Sequence, residues 1–400
     1  MSSPVLGIMT LYLNEHRALE ERSIYRRMIL EGRKRGLDIY VFTPADVHPG
    51  GKKIEAMVFH SDKGWSREWR SFPDIIFDRC RIQRNRRFQQ LLAFRQKYGH
   101  LLFLNRPLRN KWTIHQTLSA KSAFREHLPD TFLYQDMSDV NRMLKASPLI
   151  YLKPINGTGG RGILRIERNG SEANTVLVQG RDQKRKIITP RKVHLSRLGS
   201  LLQNWNMKDK YLVQQGIQLQ LPNGRVHDYR MLVQKNGEGQ WELTGCAGRM
   251  GAEKSVTSNL HGGGQAIAMN KLMKQWITDE QQRAEIYAAA EKFGIDVATF
   301  LENTYGSLCE LALDLAIDKS GHIYLLEVNP KPAREVFARI GEKDIYFKAI
   351  TQPLEYALWV YRNHAKAIRP PQGVKVTKPV KRVKGKSATL KRTRKSRLRP

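Results

Sequence analysis

The sequence predicts a mixed α/β (α+β) fold, with two ordered domains followed by a basic tail. Its first hundred residues alternate short apolar runs with amphipathic helical segments, the pattern typical of an open α/β sheet. A glycine-rich turn in the middle of the chain and an acidic hairpin in its last third indicate a second unit built on hairpin strands. With 400 residues, 40% of them hydrophobic, the chain can fill sizeable cores, which excludes global disorder.

The composition also excludes several classes of protein. No apolar run reaches the ~18 residues of a membrane span, and the N-terminus lacks the pattern of a signal peptide. The three cysteines, Cys80, Cys246 and Cys309, lie far apart and form no CxxC pair. This argues against a zinc ribbon or a disulfide scaffold. We therefore expect a cytoplasmic protein with free thiols and no membrane span.

The first domain is predicted to cover residues 1–104. Its strands are expected at 5–9, 37–42, 54–61, 74–77 and 101–104, with helices at 18–35 and 84–98. Gly36 and Gly99 follow the two helices, at positions where glycine commonly ends a helix. This alternation predicts a small open α/β sheet.

The second domain is predicted to cover residues 105–365. Thr278 begins a sequence of capping-box form, which predicts a helix ending near Phe293, before Gly294. Other helices are expected at 111–128, 138–147 and 345–364. Strands are expected at 131–134, 149–153, 162–167, 211–214, 229–234, 241–247, 311–317 and 322–328.

The last segment, 366–400, contains 14 Lys and Arg residues and no acid. Removing these cations from the formal charge of +32 leaves +18 on the preceding 365 residues. Such a segment cannot bury a core, so we expect a disordered tail. Counterion release would let it bind nucleic acid or another polyanion. The alternative is a solvated extension that makes only weak, salt-sensitive contacts.

The glycine-rich turn runs from Lys153 to Gly162 between two apolar runs. Four glycines leave the backbone N–H groups open to close approach by phosphate, and Lys153 adds a positive charge. No Lys-Ser/Thr follows the last glycine, as a Walker loop requires, and a strand rather than a helix is predicted next. Taken alone, the turn fits a flexible hairpin as well as a nucleotide loop.

The acidic hairpin supplies three oxygen-bearing side chains. Glu327 and Asn329 share one face of a strand because side chains alternate, and Asp314 on the neighbouring strand can join them. Hard oxygen ligands of this kind suit Mg²⁺ or Mn²⁺ held partly by phosphates. The alternative is a solvated acidic hairpin end.

The order of these two motifs resembles that of the ATP-grasp superfamily, and the residues between them extend the resemblance. The segment 211–217 is similar to the superfamily's hinge strand, and 227–230 matches its Asp-x-Arg element. The segment 257–264 is similar to the Ser-Asn-Leu-His motif of the ribosomal-protein glutamate-ligase branch. The segments 73–79, 152–162 and 248–263 identify the chain as a member of the YheC/YheD group of endospore coat-associated proteins.

The resemblance implies an ATP-grasp fold that holds ATP between two lobes. Lys111 and Lys153 would neutralise the phosphates, Gln215 and Gly216 would border the adenine, and four glycines would close over the phosphates. Gln215 stands where the superfamily usually has an acidic hinge residue, so the resemblance does not fix the contact of this side chain with ATP. The full implied set is, for ATP, Lys111, Lys153, Gly157, Gly159, Gly160, Gly162, Gln215, Gly216, Asp228 and Asn259; for Mg²⁺ or Mn²⁺, Asp314, Glu327 and Asn329; and for catalysis, Arg230 and Arg249.

The function implied is that of an ATP- and metal-dependent carboxylate–amine (or thiol) ligase that forms an acylphosphate during endospore coat formation. Its partners would be ATP, a carboxylate substrate and an amine substrate. The resemblance does not identify the two substrates. Arg230 and Arg249 would steady the γ-phosphate or a carboxylate, or else form structural ion pairs. The alternative is a non-catalytic coat or nucleoid-associated protein that keeps an ATP-binding fold and uses its tail as a polyanion anchor.

Overall fold

Three β-sheets organise the chain in the computed structural model, which describes residues 3–81, 86–157, 159–168, 170, 172, 174–260 and 263–368. The predicted disordered tail therefore lies almost wholly outside the described residues. The predicted domain boundaries at 104 and 365 stay predictions. No helix of the described part of the chain is both long and apolar enough to cross a bilayer.

The first sheet is the predicted open α/β sheet. It has the order β4-β3-β2-β1-β5, and β1 runs parallel to both β2 and β5. The apolar residues of the strands fill both faces, and the first helix packs Tyr25, Met28 and Ile29 onto one of them. Its elements are β1 (Val5–Met9), α1 (Arg22–Lys34), β2 (Asp38–Phe42), β3 (Lys53–His60), β4 (Gly64–Ser71), β5 (Ile75–Asp78) and α2 (Arg86–Lys97).

A broken helix connects the first sheet to the rest. The single helix predicted at 111–128 is wrong, because the chain forms α3 (Lys111–Ser119) and α4 (Ser122–Arg125) with extended backbone at Lys121. This break turns Phe124 into the core, where its ring contacts those of Phe293 and Phe300. Packing of one aromatic side chain thus outweighs helix continuity.

The second sheet is antiparallel, with the order β10-β9-β8-β7-β11-β6. Two helices cover one face and bury Val140, Leu144 and Leu198 against it. Strands β9 and β10 and helix α6 were not predicted. Its elements are β6 (Thr131–Leu133), α5 (Met137–Ala146), β7 (Leu149–Pro154), β8 (Ile163–Arg168), β9 (Thr175–Arg181), β10 (Ile187–His194), α6 (Leu195–Leu202) and β11 (Tyr211–Gln215).

The third sheet is also antiparallel, with the order β14-β13-β12-β15-β16. The predicted acidic hairpin is its β15–β16 pair, joined at Asp318–Gly321. Its elements are β12 (His227–Lys235), β13 (Trp241–Met250), β14 (Gln265–Ala268), α7 (Met269–Lys274), α8 (Glu280–Tyr305), β15 (Glu310–Ile317), β16 (Ile323–Asn329), α9 (Glu335–Arg339) and α10 (Lys343–Ile368).

Helix α8 corrects two predictions. Asp279, not Thr278, caps it by accepting a hydrogen bond from the Gln282 backbone N–H. The helix also continues through Gly294 to Tyr305 instead of ending at Phe293. A Cβ at Gly294 would lie 2.5 Å from Met231 Sδ, so this glycine permits close helix–sheet packing and does not end the helix.

Buried ion pairs join the first sheet to the third. Arg79, which follows β5 and is 1% exposed, pairs with Glu21 at 2.7 Å and with the buried Glu310 of β15. Arg334 also pairs with Glu310. Arg79 Nη2 donates to the backbone oxygen of Pro332 at 2.8 Å. These contacts lie just beyond the end of β16 and fix the acidic strand relative to the first sheet. We call this set the interdomain junction.

Candidate functional site

A cleft between the second and third sheets brings together many of the predicted site residues. Its walls come from β7, β11, β12, β13 and the β15–β16 hairpin, so both lobes contribute. The lining residues are Lys111, Tyr151, Lys153, Ile163, Gln214, Gln215, Ile217, Leu219, Val226, His227, Asp228, Arg249, Val256, Thr257, Ser258, Asn259, Asp314, Leu326 and Glu327.

Two lysines provide the positive charge of the cleft. Lys153 on β7 donates to Gln214 Oε1 at 2.7 Å. Lys111, in the first turn of α3, donates to the Gly157 backbone oxygen at 2.9 Å and lies 3.5 Å from Glu327 Oε2. Burial lowers the pKa of Lys153 to about 8, and the charge of Lys111 acts in the same direction. Two cations held together in this way favour an anionic ligand.

The two predicted acidic ligands face each other across the β15–β16 hairpin. Asp314 pairs in register with Glu327, as the sequence predicted. Asp314 also accepts two hydrogen bonds from Arg230, both at 2.8 Å, and lies 3.0 Å from Arg249 Nη2. Burial alone would raise the pKa of Asp314, but Arg230 and Arg249 outweigh it and hold the pKa at about 2.

The predicted catalytic arginines therefore take part in ion pairs in this structure. Arg249, 3% exposed, also donates to both carboxylate oxygens of Asp228, at 2.7 and 2.6 Å. Asp228 was predicted as a nucleotide contact, and here its carboxylate is held by a guanidinium. For Arg230 and Arg249 the sequence left structural ion pairing as an alternative role, and their contacts in this structure are ion pairs.

The third predicted metal ligand, Asn329, lies two residues beyond Glu327 on β16 and pairs with Ala312 of β15. Its Nδ2 is buried and has no hydrogen-bond partner. Within the described part of the chain, no three His, Cys, Asp or Glu side chains form a metal-holding group. The carboxylate and amide oxygens fit a hard divalent ion in their chemistry, with other oxygen ligands completing the set.

The glycine-rich turn connects β7 to β8, confirming that a strand follows it. Gly159, Gly160 and Gly162 have φ values of 66°, 76° and 64°, a region that disfavours other residues. A Cβ at Gly160 would lie 3.0 Å from Asn259 Nδ2, across the entrance of the cleft. Thr158 lies outside the described residues. The turn, residues 155–162, is called the glycine loop below.

The predicted hinge lies at the end of β11. The Gln215 N–H donates to the Asp130 backbone oxygen at 2.8 Å, and the Gln215 side-chain oxygen accepts the Asp130 N–H at 3.1 Å. The Gly216 N–H donates to the Leu149 backbone oxygen at 2.8 Å. The Gln215 side chain is thus hydrogen-bonded to backbone. This is the position at which the sequence differs from the acidic residue usual in the superfamily.

Several lining residues were not singled out from the sequence. Gln214 and Tyr151 contribute polar groups beside Lys153, while Leu326 and Ile217 contribute apolar surface. The signal available in the sequence was adjacency to predicted site residues, since Gln214 precedes Gln215 and Leu326 precedes Glu327. Which of these side chains faces the cleft depends on strand register, which one sequence does not supply.

Comparisons with known proteins agree with this architecture. The family model described as YheC/D-like ATP-grasp matches residues 100–360. The chain is 27% identical over 312 residues to the endospore coat-associated protein YheC of Bacillus subtilis strain 168, covering 76% of this chain and 84% of that protein. It is 23% identical over 381 residues to YheD of the same strain, covering 93% and 81%.

Solved structures resemble this one in fold. D-alanyl-alanine synthetase A from Vibrio cholerae has a TM-score of 0.51 and 10% identity, covering 90% of this chain and 99% of that chain. D-cycloserine synthetase DcsG has a TM-score of 0.50 and 13% identity, covering 88% and 99%. The predicted fold class and family resemblance are confirmed, and the chain belongs to the YheC/D-like ATP-grasp family.

Proposed function

We propose that this protein binds ATP with Mg²⁺ or Mn²⁺ and ligates a carboxylate to an amine or thiol. The observation that carries the proposal is the placement of Lys111 and Lys153 in the same cleft as the register-paired carboxylates Asp314 and Glu327. Cations and hard oxygen ligands in one cleft are what a metal-bound triphosphate requires.

The ligand-binding roles proposed are those that the family resemblance implies. Lys111 and Lys153 neutralise the phosphates, and the glycine loop, with Gly157, Gly159, Gly160 and Gly162, covers them. The Gln215–Gly216 hinge borders the adenine, and Asp228 and Asn259 line the remaining nucleotide surface. Asp314, Glu327 and Asn329 would hold the divalent ion, which, when bound, supplies neutralisation of phosphate charge.

The reaction proposed has two steps. A substrate carboxylate oxygen attacks the γ-phosphorus, the bond to the β-phosphate oxygen breaks, and ADP leaves. The amine or thiol then attacks the acyl carbon of the acylphosphate, inorganic phosphate leaves, and the nucleophile loses its proton. Arg230 and Arg249, held beside Asp314, are placed to steady the transferring phosphoryl group or the substrate carboxylate.

The cellular role proposed is in endospore coat formation, in the cytoplasm or at the coat, since the named relatives YheC and YheD are endospore coat-associated. The second candidate is a non-catalytic coat or nucleoid-associated protein that binds ATP without turnover. The engagement of Asp314 by two arginines favours this candidate, because a bound metal would have to compete with them for that carboxylate.

The test is release of ADP by the purified protein with ATP, Mg²⁺ and pools of amino acids or peptides. The ligase proposal expects release that depends on both a carboxylate and an amine or thiol, and that is lost in Glu327→Gln. Glu335→Gln, an exposed residue of α9, is the matched control and should retain it. ATP binding without substrate-dependent release would support the non-catalytic candidate instead.

A further inference from the structure

A concentration of positive charge lies on the outer side of the glycine loop. The turn between β9 and β10, residues 182–186, carries three cations and one acid, and Arg161 of the glycine loop adds a fourth cation. Arg161 and Arg185 are exposed, and neither lines the nucleotide cleft. We call Arg161 and Arg185 the arginine cluster.

Little of this charge is neutralised by the protein itself. Within the described residues, no ion pair is formed by Arg161, Lys184, Arg185 or Lys186, although many other basic residues are paired. The acid of this turn, Asp182, is engaged by backbone through Oδ1, which accepts the N–H groups of Lys184 and Lys186, both at 2.8 Å. Partial burial lowers the pKa of Arg185, and the charges of Arg161 and Arg181 act in the same direction.

The cluster is joined directly to the glycine loop. The Gly162 N–H donates to the Asp182 backbone oxygen at 3.0 Å. A Cβ at Gly159 would lie 2.8 Å from Arg185 Nη2, so the guanidinium rests against the loop backbone. An anion bound by the cluster would therefore lie at the edge of the nucleotide cleft, where a macromolecular substrate or regulator can be held.

Two features favour carboxylates over nucleic acid as the ligand. The planar guanidinium fork matches a carboxylate through two parallel hydrogen bonds. No Phe, Tyr or Trp occurs between Thr175 and His194, so single-stranded bases would find no aromatic side chain to stack on. Pairing of a peptide to the β10 edge is disfavoured, because the register shifts between Ile188 and Arg191, around Pro190.

We propose that the arginine cluster, with Lys184 and Lys186, is a docking surface for an acidic polypeptide segment beside the nucleotide cleft. The proposal goes beyond the proposed ligase function, because docking requires neither ATP nor turnover. Its ligand binds through side-chain carboxylates, so its affinity falls as salt rises.

The test is hydrogen–deuterium exchange of the full chain, without nucleotide, in the presence of deca-glutamate. Exchange is read locally, so binding of the same probe by the basic tail does not obscure the result. We expect deca-glutamate at low salt to slow exchange between residues 176 and 190 by about tenfold, and the effect to vanish at high salt.

The decisive variant is R161E/R185E, and its control is K145E/R197E, which changes the same charge at two exposed residues of the same lobe. Local protection should be lost in R161E/R185E and kept in K145E/R197E. If the charge reversal impairs folding, R161Q/R185Q takes its place and should show an intermediate loss of protection. The proposal would be overturned by equal loss of protection in both double variants, or by protection confined to the tail. It would also be overturned if a ten-nucleotide oligothymidylate gave stronger local protection than deca-glutamate.

Discussion

The interdomain junction and the arginine cluster use arginine in opposite ways. At the junction, the guanidinium groups of Arg79 and Arg334 are fully buried and matched by Glu21 and Glu310. In the arginine cluster, both guanidinium groups are exposed, and Asp182 of the same turn accepts backbone N–H groups. Paired and buried charge positions two sheets, whereas unpaired and exposed charge is available to a ligand.

The largest effect is expected at the junction. Arg79→Met leaves the buried Glu310 and the partly buried Glu21 without one of their partners, and should lower the free energy of unfolding by about 3–5 kcal/mol. Urea denaturation measures this. Arg81→Met is the matched control, since Arg81 is partly exposed and pairs with Glu20 and Glu21 at the rim. Arg81→Met should lower the free energy of unfolding by at most about 1 kcal/mol. Equal losses in the two variants would refute the contrast between buried and exposed ion pairs.

A smaller effect, confined to ligand binding, is expected at the acidic hairpin. Glu327→Gln keeps the shape of the side chain but removes one negative charge, so affinity for ATP in Mg²⁺ should fall by about tenfold, or ~1.4 kcal/mol. The melting temperature without nucleotide should change little. If the substitution instead unfolds the protein, Glu327 has a structural role resembling that of Glu310.

The cleft lysine should make ATP affinity depend on pH. Its lowered pKa of about 8 means that Lys153 loses its proton above pH 8 in the free protein. Bound phosphate stabilises the charged form, so binding near and above pH 8 takes up a proton, and affinity falls as pH rises. Between pH 7 and 9 the fall should reach about tenfold. Calorimetry in buffers of different ionisation enthalpy should detect proton uptake in wild type and none in Lys153→Met.

The smallest effect on the fold is expected from removing the tail. A chain ending at Ile368 should keep its melting temperature and ATP affinity, because the residues removed include 13 Lys and Arg residues and no acidic or aromatic residue. It should lose most of its salt-sensitive affinity for long polyanions such as DNA. Loss of ATP binding on truncation would show that the tail contributes to the nucleotide site.

The parts of the site that the sequence predicted are those governed by local rules. Four glycines before a strand predicted the glycine loop, and period-two alternation predicted that Glu327 and Asn329 share one face. Asp314 was expected on the neighbouring strand, and it pairs in register with Glu327. Strand β10 was missed because it is an exposed edge strand, whose residues show little alternation of burial. Strand β9 was also missed, although its burial alternates. Helix α8 was predicted too short because the usual role of glycine as a helix terminator was applied to Gly294.

The electrostatics of the site required the three-dimensional structure. Asp314 meets Arg230 and Arg249 only because β12 lies between β13 and β15, a strand order that one sequence does not reveal. The junction pairs Arg79 with Glu310 across 231 positions of sequence. Contacts of this length depend on how whole sheets pack.

Titration of Mg·ATP into wild type and Lys153→Met by calorimetry tests the central claim most directly, that nucleotide phosphates bind between the two lobes beside this lysine. Lys145→Met, an exposed lysine of α5 in the same lobe, is the control. We predict that Lys153→Met weakens binding by at least about tenfold, or ~1.4 kcal/mol, while the control matches wild type. Equal affinity in all three proteins would contradict the placement of the phosphates in this cleft.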